Sequence, residues 1–150
     1  MTATPNIPDH ARVLIVDNER HDRDLLQIML ASEGYVLQTA ASGEEALAIV
    51  AGHPPDLILL DVRMPGMDGY QVASTIKENP STTNIPIIIL TGLDDRQSKM
   101  RGLNAGAADL LTKPVDRAEL SARVRNLLRL KAYGEYVERM KEVQRLKDGF

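Results

Sequence analysis

The chain has 150 residues, with 18 Lys and Arg against 21 Asp and Glu for a formal net charge of −3, and it holds no Cys, no Trp, one Phe and four Tyr. That length suits one domain with room for a sizeable core, and the lack of Cys excludes a disulfide framework, a thiolate metal site and a cysteine nucleophile. The acidic balance and few aromatics argue against direct nucleic-acid binding, which needs basic groups and stacking rings, and apolar runs of about five residues fall far short of the roughly 20 that span a bilayer.

Met1 to His10 carries Pro5 and Pro8 and no apolar stretch, so it does not read as a secretory leader. Residues 1–10 are expected to be a disordered arm on a cytoplasmic protein. Arg12 to Val16 reads as the first strand. His21 to Glu33 follows as a helix with Leu25, Leu26, Met29 and Leu30 on one face, stopping near Gly34. Tyr35 to Ala40 is the second strand. Ser42 with Glu45 three residues on forms a capping box for a helix through Val50. Asp56 to Leu60 is a buried strand, Gly69 to Glu78 a helix, and Ile87 to Leu90 the fourth strand. Asp94 or Asp95 is the expected cap of a helix through Asn104. Ala107 to Leu111 is the fifth strand, and Asp116 caps a last, long helix.

Strands alternating with helices build βαβ units, whose parallel strands need right-handed crossovers. Val13–Val16, Leu57–Leu60 and Ile87–Leu90 are apolar throughout, which marks strands covered on both faces. In such sheets, sites form beyond the carboxyl ends of the strands. Those ends carry Asp17-Asn18-Glu19, Asp61, Thr91-Gly92 and Thr112-Lys113-Pro114. Carboxylates and an amide oxygen suit Mg²⁺. A carboxylate can attack phosphorus to give an acyl phosphate. A lysine and a metal ion can neutralise the charge that develops on the phosphoryl oxygens. The three histidines, His10, His21 and His53, show no metal-ligand spacing, and His21 reads as a solvated first-turn residue.

With these residues in place, the sequence resembles a response-regulator receiver domain of two-component signalling. The resemblance rests on Val13 to Glu19, on Leu57 to Gly69 with its Asp61-Val62-Arg63-Met64-Pro65-Gly66-Met67-Asp68-Gly69 run, on Leu90-Thr91 and on Leu111 to Pro114. It covers residues 11–131. It implies an α/β, flavodoxin-like three-layer sandwich with a five-stranded parallel sheet of order 2-1-3-4-5 and an extended C-terminal helix. It implies that Asp61 is the phospho-acceptor, served by a sensor histidine kinase or phosphotransfer protein. Thr91 is then the switch hydroxyl, and Lys113, before a cis proline, pairs with the phosphoryl group. Asp17, Asn18, Asp61 and the backbone carbonyl of Arg63 are the implied Mg²⁺ ligands.

Three positions depart from the family pattern. Asn18 replaces the second acid of the usual pair, which removes one charge and predicts weaker Mg²⁺ binding. Leu110 replaces the switch aromatic of the fifth strand, leaving transmission to backbone shifts after Thr91. Arg63 lies two residues beyond Asp61, where it can alter dephosphorylation.

Past Asp116, Leu120, Val124, Leu127 and Leu128 form a core-facing stripe, with Arg123, Arg125, Arg129 and Lys131 mostly opposite. Tyr133, Tyr136, Met140 and Val143 then recur at near-heptad spacing, interrupted by Gly134, a helix-weakening residue. Residues 132–150 are expected to be a helical extension that supports a homodimer. The competing reading is a degenerate receiver, a phosphorylation-independent interaction module. A related phosphohydrolase is disfavoured because its acid/base Asp would stand where Arg63 is. A flavin-binding protein is disfavoured because the first strand lacks a glycine- and hydroxyl-rich phosphate loop.

Overall fold

A computed structural model of the chain describes residues 7–8, 10–92 and 96–149. Residues 1–6 and 9 of the expected arm, and the expected caps Asp94 and Asp95, lie outside the described residues. The elements are β1 (Arg12–Val16), α1 (Arg20–Leu30, followed by a 3₁₀ turn at Ala31–Glu33), β2 (Val36–Ala40), α2 (Gly43–Gly52), β3 (Leu57–Asp61), α3 (Gly69–Glu78), β4 (Ile87–Thr91), α4 (Arg96–Asn104), β5 (Asp109–Thr112) and α5 (Arg117–Asp148).

All strands are parallel and lie in the order β2-β1-β3-β4-β5, the flavodoxin-like arrangement the resemblance implied. β1, β3 and β4 have apolar side chains on both faces, and the structure shows why. Leu14, Val16, Ile58, Leu60, Ile87 and Ile89 pack with Val50 of α2 and Val72 and Ile76 of α3. The alternating residues Val13, Ile15, Leu57, Leu59, Ile88 and Leu90 pack with Leu26 and Leu30 of α1 and Leu120, Val124 and Leu128 of α5. Each buried aliphatic side chain contributes about 1.5–3 kcal/mol of transfer free energy. Leu59 is fully buried in the central strand. Leu59→Ala should therefore cost about 2–5 kcal/mol, read as a lower urea midpoint with an unchanged slope; a loss under 1 kcal/mol would contradict this packing.

The caps follow the sequence, with one refinement. Ser42 Oγ accepts from Glu45 N, but the Glu45 carboxylate accepts from Ala41 N rather than from the cap itself. Asp68 and Gln71 form a full capping box on α3, and Asp116 accepts from Glu119 N on α5. Element ends differ from the sequence reading by a residue or two, and three details stand out. α1 is regular only to Leu30, because the turn tightens into 3₁₀ geometry before Gly34, whose φ is 84°. β5 starts at Asp109 rather than Ala107, after Gly106 turns the chain at φ 93°. Leu25 of the expected apolar face is 42% exposed, while Leu26 and Leu30 carry the contact with the sheet.

α5 is one continuous helix of 32 residues that passes through Gly134 without a break. Its last buried residue is Ala132. The rest, to Asp148, extends for about 24 Å at 1.5 Å per residue. Lys131 secures the departure point, with its Nζ 3.5 Å from Asp56 Oδ1, just before β3. Among the described residues no helix is long and apolar enough to cross a membrane.

Candidate functional site

The carboxyl ends of β1, β3, β4 and β5 meet along one edge because the strands are parallel and in register, with Asp61 paired to Leu90 and Thr91 to Thr112. Asp17 follows β1 and is fully buried, Asp61 ends β3 at 5% exposure and Thr91 ends β4 at 3%. A backbone bond from Lys113 N to Thr91 O, 2.7 Å long, ties the end of β5 to that of β4. The Lys113–Pro114 peptide is cis.

Lys113 is the centre of the cluster. Its Nζ lies 2.9 Å from Asp17 Oδ2, 3.0 Å from Asp61 Oδ1 and 3.1 Å from Asp22 Oδ2. An ammonium has three donors, and three carboxylates surround it. Asp17 is locked further: its Oδ1 accepts from Glu19 N at 2.9 Å, and its carbonyl accepts from Arg23 Nη1 at 2.7 Å. These bonds fix the loop between β1 and α1 with the carboxylate turned inward.

The electrostatics set Asp61 apart. Burial, and then the neighbouring Asp17 charge, push its carboxyl above the ordinary carboxylate range, with Lys113 opposing them only in part. For Lys113, burial acts to lower the ammonium's pKa, but the bonds to Asp17 and Asp61 outweigh it and hold the group above its ordinary value. The site is thus a crowded set of anions held by one firmly protonated lysine.

The structure brings Asp17, Asp61, Thr91 and Lys113 to one edge. Asn18 and Arg63 lie in the adjoining loops with their residues exposed. Among the described residues no cluster of three or more His, Asp or Glu is arranged to hold a metal. A cation here would use two carboxylates with neutral oxygens, a donor set that suits Mg²⁺ and its retained waters. Met64 is buried in the core beside the partly buried Met67, as packing residues rather than ligands.

Gly69 explains how the loop after Asp61 is held close. A Cβ there would lie 2.4 Å from Asp61 O and 2.9 Å from Val62 Cα. Gly69 N also donates to Val62 O, so α3 begins directly against the end of β3. Tyr70 follows, 7% exposed. The Arg101 guanidinium of α4 sits 4.2 Å above its ring centroid and 3.9 Å from Asp68 Oδ2. The β3–α3 turn and α4 are thereby joined. Leu110, where the resemblance expected an aromatic, is half-buried beside a cavity of about 230 Å³ between α4 and β5.

Two features escaped the sequence reading: Asp22 as a third partner of Lys113, and the Arg101–Tyr70 stack. Each joins residues far apart in the chain. Asp22 reads locally as a first-turn helix acid, and only the fold places it beside Lys113.

Residues 13–125 match the family described as the response regulator receiver domain. The chain is 48% identical over 121 residues to the response regulator PleD of Caulobacter vibrioides, covering 81% of this chain and 27% of that protein. It is 38% identical over 123 residues to the phosphate regulon transcriptional regulatory protein PhoB of Pseudomonas aeruginosa, covering 82% of this chain and 54% of that one. The solved chemotaxis protein CheY4 of Vibrio cholerae superposes with a TM-score of 0.74 at 32% identity, covering 78% of this chain and 98% of that chain. The chain therefore spans roughly a quarter to a half of the length of these curated relatives and nearly all of the solved one.

Proposed function

Because this chain belongs to the response regulator receiver family, a family of signalling domains rather than of classical enzymes, we propose that it is a switch operated by phosphorylation of Asp61. The observation that carries this reading is the Asp17–Lys113–Asp61 cluster at the strand ends, with the Asp61 carboxylate buried and ion-paired at 3.0 Å. An Asp61 oxygen attacks the phosphorus of a phospho-histidine on a sensor kinase or phosphotransfer protein. The P–N bond breaks, the imidazole keeps the electron pair and takes up a proton, and an acyl phosphate forms on Asp61. Lys113 stays protonated through this step and pairs with a phosphoryl oxygen. The Thr91 hydroxyl donates to another.

Asp17, Asn18, Asp61 and the Arg63 carbonyl would hold Mg²⁺. When bound, the ion neutralises charge on the phosphoryl oxygens. Asn18 offers an amide oxygen in place of a carboxylate. Two opposite charges a few Å apart are worth a few kcal/mol at an effective dielectric near 20, before desolvation. Asn18→Asp should accordingly tighten Mg²⁺ binding by about tenfold in a calorimetric titration; equal affinities would refute this role. Arg63, exposed and two residues after Asp61, is proposed to contact the phosphoryl group and change its lifetime.

Output runs through α4, which the Arg101–Tyr70 contact couples to the turn after Asp61, in the absence of a strand-five aromatic. The receiver is assigned to residues 11–131 and the helical extension to 132–150. Along the extension Tyr133, Met140, Val143 and Leu146 are exposed, while Lys141–Glu138 and Arg145–Glu142 pair within the helix. That division of charged and apolar faces supports dimerisation with a second copy. The competing reading, an interaction module that works without phosphorylation, draws on Asn18 and Leu110. Treatment with a small phosphodonor and Mg²⁺ separates them: a base-labile mass gain of one phosphoryl group per chain supports the switch, and no gain supports the module.

A further inference from the structure

Asp22 stands in the first turn of α1, and among the described residues its carboxylate is hydrogen-bonded to Lys113 alone, at 3.1 Å. It is 35% exposed at the side chain, against 0% for Asp17 and 7% for Asp61. It is therefore the outermost of the three carboxylates, at the mouth of the cluster. A few residues before it, Asn18 is uncharged where an acidic pair would place a second acid.

We propose that Asp22 is a positioning residue that makes up for the neutral Asn18: by sharing the Lys113 ammonium, it leaves Asp17 and Asp61 with enough negative charge to take a divalent cation. The proposal rests on the reading of Asp17 and Asp61 as the cation's carboxylate ligands. The charge balance carries it. Three carboxylates around one ammonium leave two net negative charges, as a second acid at position 18 would do without Asp22. Without either, Lys113 would neutralise one of the only two carboxylates remaining and leave a single net charge. The three ammonium distances are nearly equal, so Lys113 is divided among its partners rather than committed to Asp61. The charge of Asp22 also reaches Asp61, where it adds to the forces that raise the carboxyl's pKa. A first-turn acid is favourable to a helix in any case. That local role predicts a change in stability but none in cation binding.

The test is Mg²⁺ binding by isothermal calorimetry on the full, unphosphorylated chain, for wild type, Asp22→Asn, Asn18→Asp and the double variant Asn18→Asp/Asp22→Asn. Circular dichroism checks that each is folded. Asp22→Asn should weaken binding by about three- to tenfold, and the double variant should return to within about twofold of wild type, because the second change restores the charge at position 18. Equal binding by wild type and Asp22→Asn, no recovery in the double variant, or no Mg²⁺ binding by wild type would each overturn the proposal. If the expected pattern holds but a phosphodonor adds no phosphoryl group, the positioning role of Asp22 stands and the switch reading alone fails.

Discussion

Gly69→Ala should destabilise the fold by about 2–3 kcal/mol and remove phosphorylation from the fraction that stays folded. The cause is a backbone contact. The added methyl would lie 2.4 Å from Asp61 O, 2.9 Å from Val62 Cα and 3.0 Å from Asp61 C. None of these atoms belongs to a flexible side chain, so relief must come from moving either the end of β3 or the start of α3. The first displaces Asp61 from Lys113. The second breaks the Gly69 N to Val62 O bond and strains the Asp68–Gln71 capping box. Urea denaturation measures the stability, and intact mass after phosphodonor treatment measures the chemistry. A variant within 0.5 kcal/mol of wild type that is phosphorylated normally would show that the approach of α3 to Asp61 is not needed.

Asp61→Asn should abolish phosphorylation and at the same time stabilise the protein near neutral pH. Asp61 is held with its carboxyl above the ordinary range by burial and by Asp17. The folded state thus binds its proton more tightly than the unfolded state does. The stability this confers is present at low pH and is lost as pH rises from the unfolded carboxylate pKa through the higher folded one. At neutral pH the ionised Asp61 is a net burden on the fold. An amide of the same shape removes the repulsion with Asp17, and Lys113 keeps Asp17 and Asp22 as partners. A gain of about 1 kcal/mol is expected, shrinking toward zero below about pH 3, where Asp61 is protonated in both states. Thermal unfolding across pH checks the sign. A variant less stable than wild type at neutral pH would mean that the Lys113 pair outweighs burial.

Much of this was legible in the sequence, for local reasons. The central strands announce themselves because burial on both faces demands unbroken runs such as Leu57 to Leu60. The strand-end residues follow at once, since a parallel sheet gathers all its carboxyl ends along one edge. Asp61, Thr91 and Lys113 could be placed together for that reason. What was not legible depends on long-range packing. Asp22 meets Lys113 across 91 residues of chain. Arg101 finds Tyr70 only once α3 and α4 flank the same sheet. The continuity of α5 through Gly134 was also beyond a propensity argument, because a single glycine costs a helix about 1 kcal/mol relative to Ala without having to break it.

The most direct measurement of the central claim is chemical identification of the phosphorylated residue. The chain is treated with a small phosphodonor and Mg²⁺, the acyl phosphate is reduced with borohydride, and the digested protein is mapped by mass spectrometry for aspartate converted to homoserine. Conversion at Asp61, lost in Asp61→Asn, is the predicted result. Conversion at Asp17 or Asp22 instead, or at no residue, would contradict it.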